Sequence, residues 1–338
     1  MNFINILNHI LRLLEWVVAQ LLTLFHHALV TFGMTAGPSP AWGITIMCLV
    51  LVIRICLLPL FLSQMRAMQR IQVLQPQIQR IQHKYAARKD PRSKEAMQRE
   101  IMALQQRYNA NPLGSCLPSL IQAPILCSLF YTLQSLPAIA DGNAEPLGGI
   151  DHTMAGDIES SSIFGVRIAD SFGTVASPQS RIIIGVAVAL MCLTLFAIQW
   201  MLIHRNTSKD AMVSPQFRVQ KMTVFVFPAI YVVSGATLPF GVLLYWLTNN
   251  LWNLGQTLCQ LRWFPTPGSA AGERKARRDY EQDNRRRAAA GLPSLEEERA
   301  MAAREEAKVR REREKSAASR NRKQHKTPHL AKRSIVKR

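Results

Sequence analysis

The chain has 338 residues, 48% of them hydrophobic, and a formal net charge of +19. Long apolar runs beside so basic a balance argue against a pair of soluble domains and for a membrane protein with polar appendages. The cysteines Cys48, Cys56, Cys116, Cys127, Cys192 and Cys259 fall in or beside apolar runs without CxxC pairing, so neither a disulfide framework nor a zinc site is expected, and no metal or cofactor is called for.

Residues 1–36 are apolar with a polar face, on which Asn5, Asn8, His9, Arg12, Glu15, Gln20, Thr23, His26 and His27 recur at three- and four-residue steps. This reads as an amphipathic helix lying in the outer membrane interface, with a spanning helix as the competing reading. It lacks the basic n-region and cleavage site of a signal peptide. "GPSP", Gly37 to Pro40, then breaks the chain.

Residues 41–62 form the first expected span. Residues 63–111 are rich in Gln, Arg and Lys; their stripes Met68, Ile71, Leu74, Ile78, Ile81 and Ile101, Leu104, Tyr108 predict a polar helical hairpin, with Pro76 kinking or shortening its first arm. A second span is expected over 113–136, a polar acidic loop over 137–180 and a third span over 182–203. A short basic loop follows over 204–221, then a short fourth span over 222–238 and a fifth over 242–261. Residues 262–338 read as a disordered basic tail, within which Leu295 to Lys315 has the Glu/Arg spacing of a helix. The expected fold is thus an all-α polytopic membrane protein with five transmembrane helices.

The hairpin, the short loop and the tail hold 37 of the 41 Lys and Arg residues. With five spans all three lie on one side, so the positive-inside rule places them in the cytoplasm and the N-terminus outside. An added span before Gly33 would move only the N-terminus.

One residue resists this pattern. Arg54 lies in "VIRICLLPL", about 18 Å from the outer end of its span and about 12 Å from the inner one at helical rise. A guanidinium does not give up its proton there, and burying it in lipid costs about 2.5 kcal/mol or more. None of the other four spans contains Asp or Glu, so the usual salt bridge has no partner. Either Arg54 snorkels to the inner interface, or it faces water and neutral polar groups inside the bundle. Candidates for that set are Gln122, Gln199, Asn249 and Asn250, with Thr223, Ser234 and Thr248 as weaker ones that commonly bond their own backbone. Such a cavity favours a polar or negatively charged visitor.

These features resemble the YidC/Oxa/Alb membrane protein insertases, in the five-span form typical of Gram-positive bacteria. The resemblance rests on "NPLGSCLPSLIQAPILCSLFYTL", on the context of Arg54, on "FAIQW" and on "LPFGVLLYWLTNNLWNLGQ". It implies a non-enzymatic insertase and chaperone with an amphiphilic groove, open to cytoplasm and lipid and closed outside. Arg54 matches the family's groove arginine, Gln199 a groove-lining polar position and Trp246 an aromatic position in the substrate path. Val50 departs from members that are polar one turn before the arginine. No GxxxxGK[ST] motif is present, so burial of the client's apolar span would supply the energy.

Implied partners are nascent membrane proteins, the ribosome, anionic lipids and the Sec translocase, and the implied place is the bacterial cell membrane. Arg205, Lys209, Arg218 and Lys221 in the loop and Arg320, Arg322, Lys323, Lys332 and Arg333 in the tail are the expected contacts to ribosomal RNA or anionic lipid. Two rival readings remain: a small-anion transporter, which usually shows internal repeats, and a membrane-anchored RNA-binding scaffold, which leaves Arg54 unexplained.

Overall fold

The computed structural model describes residues 3–87, 90–110, 117–213 and 215–326. Among these it is all-helical save for one two-stranded hairpin. The helices are α1 (Phe3–Thr31), α2 (Pro40–Cys56), α3 (Leu58–Tyr85), α4 (Pro91–Arg107), α5 (Leu117–Ala140), α6 (His152–Ser160), α7 (Pro178–Arg205), α8 (Pro215–Thr237) and α9 (Phe240–Trp263), followed by α10 (Ala270–Ala289) and α11 (Leu295–Lys326).

Local chemistry sets several of these boundaries. Ser39 caps α2, its hydroxyl accepting from Ala41 N, and Pro40 stands where its missing N–H costs nothing. Asp90 and Asp151 cap α4 and α6 in the same way, accepting from Ser93 N at 2.8 Å and Met154 N at 2.7 Å. Between α2 and α3 the chain bends by 55°. Pro59, in the first turn of α3, offers no N–H to the preceding turn and its ring crowds the carbonyl four residues back, so one continuous helix cannot form. The apolar run beginning at Ala41 is therefore broken at Leu57. Pro76 does not shorten the hairpin's first arm: α3 runs on past it to Tyr85.

Windows in α1 (His9–Thr31), α5 (Gln122–Ala140), α7 (Pro178–Arg205) and α8 (Phe217–Thr237) are long and apolar enough to cross a membrane, as is the bent α2–α3 pair taken together. α9 is not, because Thr248, Asn249, Asn250, Asn253, Gln256, Thr257 and Gln260 dilute it. It is instead the helix shared by both large apolar cores. One core joins Val18 and Leu22 of α1, Trp42, Ile46 and Leu49 of α2, Leu129, Leu133 and Leu136 of α5, and Val242 and Tyr245 of α9. The other joins Ile184 and Met191 of α7 to Phe240, Leu243 and Leu244 of α9. All of these α9 residues belong to its N-terminal half.

The acidic loop after α5 is folded. It holds α6 and the hairpin β1 (Ser162–Ile163) and β2 (Val166–Arg167), and buries Ile150, Ile158, Val166 and Ile168. It is bonded to the starts of two helices: Ser39 N donates to Ser161 Oγ at 3.0 Å, Phe240 N to Asp170 O at 2.7 Å and Gly241 N to Ile168 O at 2.9 Å. The loop is thus a cap over the N-terminal ends of α2 and α9. α1 packs under it, with the His26 ring stacked on Trp42 at 3.8 Å. Thr23 and His26 of its polar face are buried, whereas Ile10, Leu13, Trp16, Val17 and Leu24 are exposed. That outward apolar stripe, with Ile182, Val186, Leu190 and Leu193 of α7 and Phe225, Val232 and Val233 of α8, is a surface suited to lipid.

Beyond Glu273 the chain forms a separate unit. Within it α11 opens on a capping box: Glu297 N donates to Ser294 Oγ at 3.3 Å and Ser294 N to Glu297 Oε2 at 2.9 Å. The helix expected from Leu295 is thus present and runs on to Lys326, and the preceding stretch expected as disordered carries α10.

Candidate functional site around Arg54

Arg54 is in the last turn of α2, just before the bend. Its guanidinium turns onto α9: Nε donates to Asn249 Oδ1 at 2.8 Å, and Nη2 donates to the same oxygen. Among the described residues no carboxylate pairs with it, so the charge keeps its sign and is held by a neutral amide.

Trp246, Asn249, Asn253 and Gln256 follow one another on α9 at steps of three and four residues and so share a face. With Arg54 they line a pocket of about 570 Å³. The bend at Leu57 brings Leu60, Phe61 and Gln64 of α3 to its rim, α5 supplies Gln122 and Leu126, and α8 supplies Phe227, Ile230 and Tyr231. The pocket has two characters: a strip of one guanidinium and several amides, facing an apolar wall from α8 and α5. Tyr231 and Trp246 stack at 5.0 Å between ring centres and join the two. Gln122 Nε2 donates to the Tyr245 hydroxyl, which fixes α5 against α9 behind the strip.

The expected groove residues divide accordingly. Arg54, Gln122, Trp246 and Asn249 come together in the pocket. Asn250 does not line it: it is 2% exposed and accepts from the Tyr231 hydroxyl at 3.5 Å, behind the lining. Gln199 lies half-buried on α7 and is not among the lining residues. Val50 is buried in the first core, so its departure from the polar pattern leaves the pocket untouched. Gln64, Tyr231, Asn253 and Gln256 are lining residues that the sequence reading omits. The last two extend the Trp246–Asn249 spacing, a signal present in the sequence.

Of the basic residues, Arg205 at the end of α7, Lys209 in the loop, and Arg218 and Lys221 in the first two turns of α8 are exposed. Lys209 pairs with Glu273 at 3.2 Å, and Lys221 Nζ sits 4.8 Å from the centre of the Phe217 ring. This loop is anchored: Thr266 N donates to Asn206 Oδ1 at 2.9 Å, and Thr207, Ser208 and Ser269 are buried around it. Arg320, Arg322 and Lys323 fall within α11, and Lys332 and Arg333 lie outside the described residues.

An anion 4 Å from a guanidinium gains about 4 kcal/mol at an effective dielectric of 20. The amides beside it can both donate to and accept from a peptide backbone. Together the helices and this pocket define a multi-pass, all-helical membrane protein with a positive polar pocket set among its apolar helices. Comparison with known proteins narrows the class. The family model described as "60Kd inner membrane protein" matches residues 34–266. The membrane protein insertase YidC of Bifidobacterium longum is 44% identical, over 90% of this chain and 91% of that protein. That of Streptomyces avermitilis is 35% identical over 76% of this chain and 58% of its own length, and that of Tropheryma whipplei strain Twist 30% over 81% and 90%. The chain belongs to the YidC/Oxa/Alb family of membrane protein insertases, which are not enzymes.

Proposed function

We propose that this protein inserts nascent membrane proteins by receiving a client's short polar segment in the Arg54 pocket while the client's apolar span passes along the α8 wall into lipid. The observation that carries this reading is the unpaired charge: Arg54 is held by Asn249 and by no acid among the described residues. A guanidinium already neutralised by a carboxylate would offer little to an incoming acidic segment. The pocket is hydrated and open toward the cytoplasm, and the cap closes the outer side. The amphiphilic lining supports that division: water and client backbone meet the amides, and the client's side chains meet Phe227 and Ile230. A span of about 20 apolar residues releases several kcal/mol on entering lipid, so the protein needs only to lower the barrier for the polar segment. It also serves as a chaperone for clients not yet packed.

The N-terminus lies outside and the tail in the cytoplasm, following the basic residues. The loop between α7 and α8 and the tail contact ribosomal RNA or anionic lipid, and the Sec translocase is a further partner. The main test uses purified protein in liposomes with a single-span client bearing an acidic N-terminal tail. Arg54→Ala is expected to reduce insertion about tenfold or more, an effect of at least about 1.4 kcal/mol, with the variant still membrane-embedded. Normal insertion would remove the charge from the mechanism. Deleting the chain after Glu273 keeps the Asn206–Thr266 contact intact; ribosome co-sedimentation is then expected to weaken, most clearly at low salt, where phosphate contacts contribute most.

A further inference from the structure

Four glutamines of α3, Gln69, Gln72, Gln75 and Gln79, recur at steps of three and four residues and so share one side of the helix. They stand beside the apolar stripe of Ile71, Leu74 and Ile78 that closes the hairpin. The outer two hold α3 to distant parts of the chain. Gln69 Nε2 donates to Phe264 O at 2.5 Å and to Pro265 O at 3.3 Å, the first carbonyls after α9. Gln79 Nε2 donates to Asp210 O at 2.7 Å, in the loop between α7 and α8. That loop and the stretch after α9 are packed together. Thr266 N donates to Asn206 Oδ1 at 2.9 Å, Lys209 pairs with Glu273 at 3.2 Å, and a Cβ on Gly268 would lie 3.7 Å from Ser208 Cβ. α3 is thus clasped at two points about 15 Å apart along its axis.

The same helix carries part of the pocket's rim. Leu60, Phe61 and Gln64 stand between the bend at Leu57 and the first clasp point, and Gln64 is only about 7.5 Å before Gln69. Pro59 removes a ladder bond at the bend, so α2 alone sets the direction of α3 only loosely. The bonds from Gln69 and Gln79 supply the missing constraint.

The inner two glutamines show that the clasp is suited to release. Gln75 is 8% exposed, and the side-chain oxygens of Gln72 and Gln75 are buried with no partner among the described residues. A buried acceptor left unpaired costs about as much as a neutral hydrogen bond contributes, or more. Docking of this side of α3 is therefore only weakly favourable, despite the bonds at its two ends. Permanent packing calls for apolar side chains in the middle of the face, as in the neighbouring stripe. We propose that Gln69 and Gln79 are positioning residues for the Arg54 pocket: they hold the α3 rim against the α7–α8 loop and the stretch after α9, and their release swings α3 about Leu57 and opens the rim. The role in insertion rests on the pocket receiving a client, as proposed above, whereas the clasp is measured apart from it.

The test uses the full chain, its native cysteines replaced, with spin labels at Gln77 of α3 and Val219 of α8, both exposed. Gln69→Met and Gln79→Met remove the donor and keep length and helix propensity. One distance is expected in the parent. Each variant is expected to add a second, longer distance, its population about fivefold above the parent's for the loss of one neutral hydrogen bond, with a larger rise in the double variant. Gln69→Arg, which keeps N–H donors of sufficient reach, is expected to restore the single distance. In liposomes Gln69→Met is expected to lower insertion several-fold for acidic-tailed and neutral-tailed clients alike, because the rim it positions carries no charge. Arg54→Ala acts mainly on the acidic client. Unchanged distances in the double variant overturn the proposal, as does a second distance that Gln69→Arg does not remove. A second distance with normal insertion of both clients overturns the positioning role. Reduced insertion by Gln69→Met beside normal insertion by Arg54→Ala supports the clasp and counts against the charge reading alone.

Discussion

The two halves of α9 are built to opposite rules. Its N-terminal half, Phe240 to Tyr245, is buried in both apolar cores and bonded to the folded cap. From Trp246 onward it carries Asn249, Asn253 and Gln256 along a pocket whose apolar wall is α8. α8 itself leaves Phe225, Val232 and Val233 exposed. One end of the helix is held by close packing and the other lines an open pocket. A single helix can do both because packing and polarity are local, each set within a turn or two. The close packing is thus concentrated at the cap end, and the function proposed above puts client handling at the Arg54 end.

Two glycines on this helix give the sharpest way to break the contrast. A Cβ on Gly241 would lie 2.7 Å from Ile168 Cγ2 and 3.1 Å from Leu133 Cδ1, whereas one on Gly255 meets nothing within 4 Å. Gly241→Val is therefore expected to destabilise the protein by about 1–3 kcal/mol through overpacking. Gly255→Ala is expected to stabilise it by up to about 1 kcal/mol by relieving the helical cost of glycine. Thermal unfolding of each variant in detergent checks both. Equal, small effects would mean that the cap end is no better packed than the pocket end.

Much of this division is legible in the sequence, but unevenly. The apolar runs and Arg54 stand out because lipid imposes length and makes a charge conspicuous. Asn249 is recognisable as polar, yet its pairing with Arg54 is not, since two residues 195 positions apart meet only through the parallel packing of α2 and α9. Asn253 and Gln256 are visible as a continuation of the same helical face. The cap is hidden for a different reason. Ile150, Ile158, Val166 and Ile168 are scattered among acids and glycines, so no periodicity betrays that they are buried, three of them in the first core and Val166 in the second. Composition marks 137–180 as a loop, whereas tertiary contacts make it a lid. The bend at Leu57 is signalled by Pro59, but the apolar composition runs straight through it. Gln199 shows the limit of spacing arguments: it is polar on an apolar helix, yet that helix contributes no residue to the pocket lining.

A finer test acts inside the pocket end. Asn249→Asp would place a carboxylate where the amide oxygen now accepts from Arg54. The pair should hold the fold at least as well, because a buried charge gains an opposite partner. Insertion of an acidic-tailed client is expected to fall several-fold, toward the Arg54→Ala level, while a client with a neutral tail is less affected. Insertion assays on both clients, with unfolding measured alongside, separate the roles of charge and of wetness. If the acidic client inserts normally, the net positive charge is not what draws it.

The smallest effect is expected at the hairpin formed by α3 and α4, which belongs to the pocket end. α4 has no buried residue, and the hairpin core is confined to Leu74, Ile78 and Ala110 with partly buried neighbours. Its tip is joined by Lys84 and Glu100 at 2.9 Å, an exposed pair. The bond from Lys84 holds the Glu100 carboxyl below the usual carboxylate range and raises the Lys84 ammonium above its usual value. A depressed carboxylate contributes stability that is present above its unfolded-state pKa and is lost as pH falls through the folded one. The ammonium's share is present below its unfolded-state pKa and is lost only as pH rises through the raised one. The pair is therefore constant through neutral pH and weakens only in acid or strong alkali. Exposed pairs are screened by salt. Amide exchange in α4 is accordingly expected to quicken slightly as pH drops below the carboxylate range, after correction for intrinsic exchange. Glu100→Gln should abolish that pH dependence, and exchange in the cap should not respond. A cap that loosened in step with the hairpin would show the two ends of α9 to be one cooperative unit, and the contrast between them would then lie in chemistry alone and not in stability.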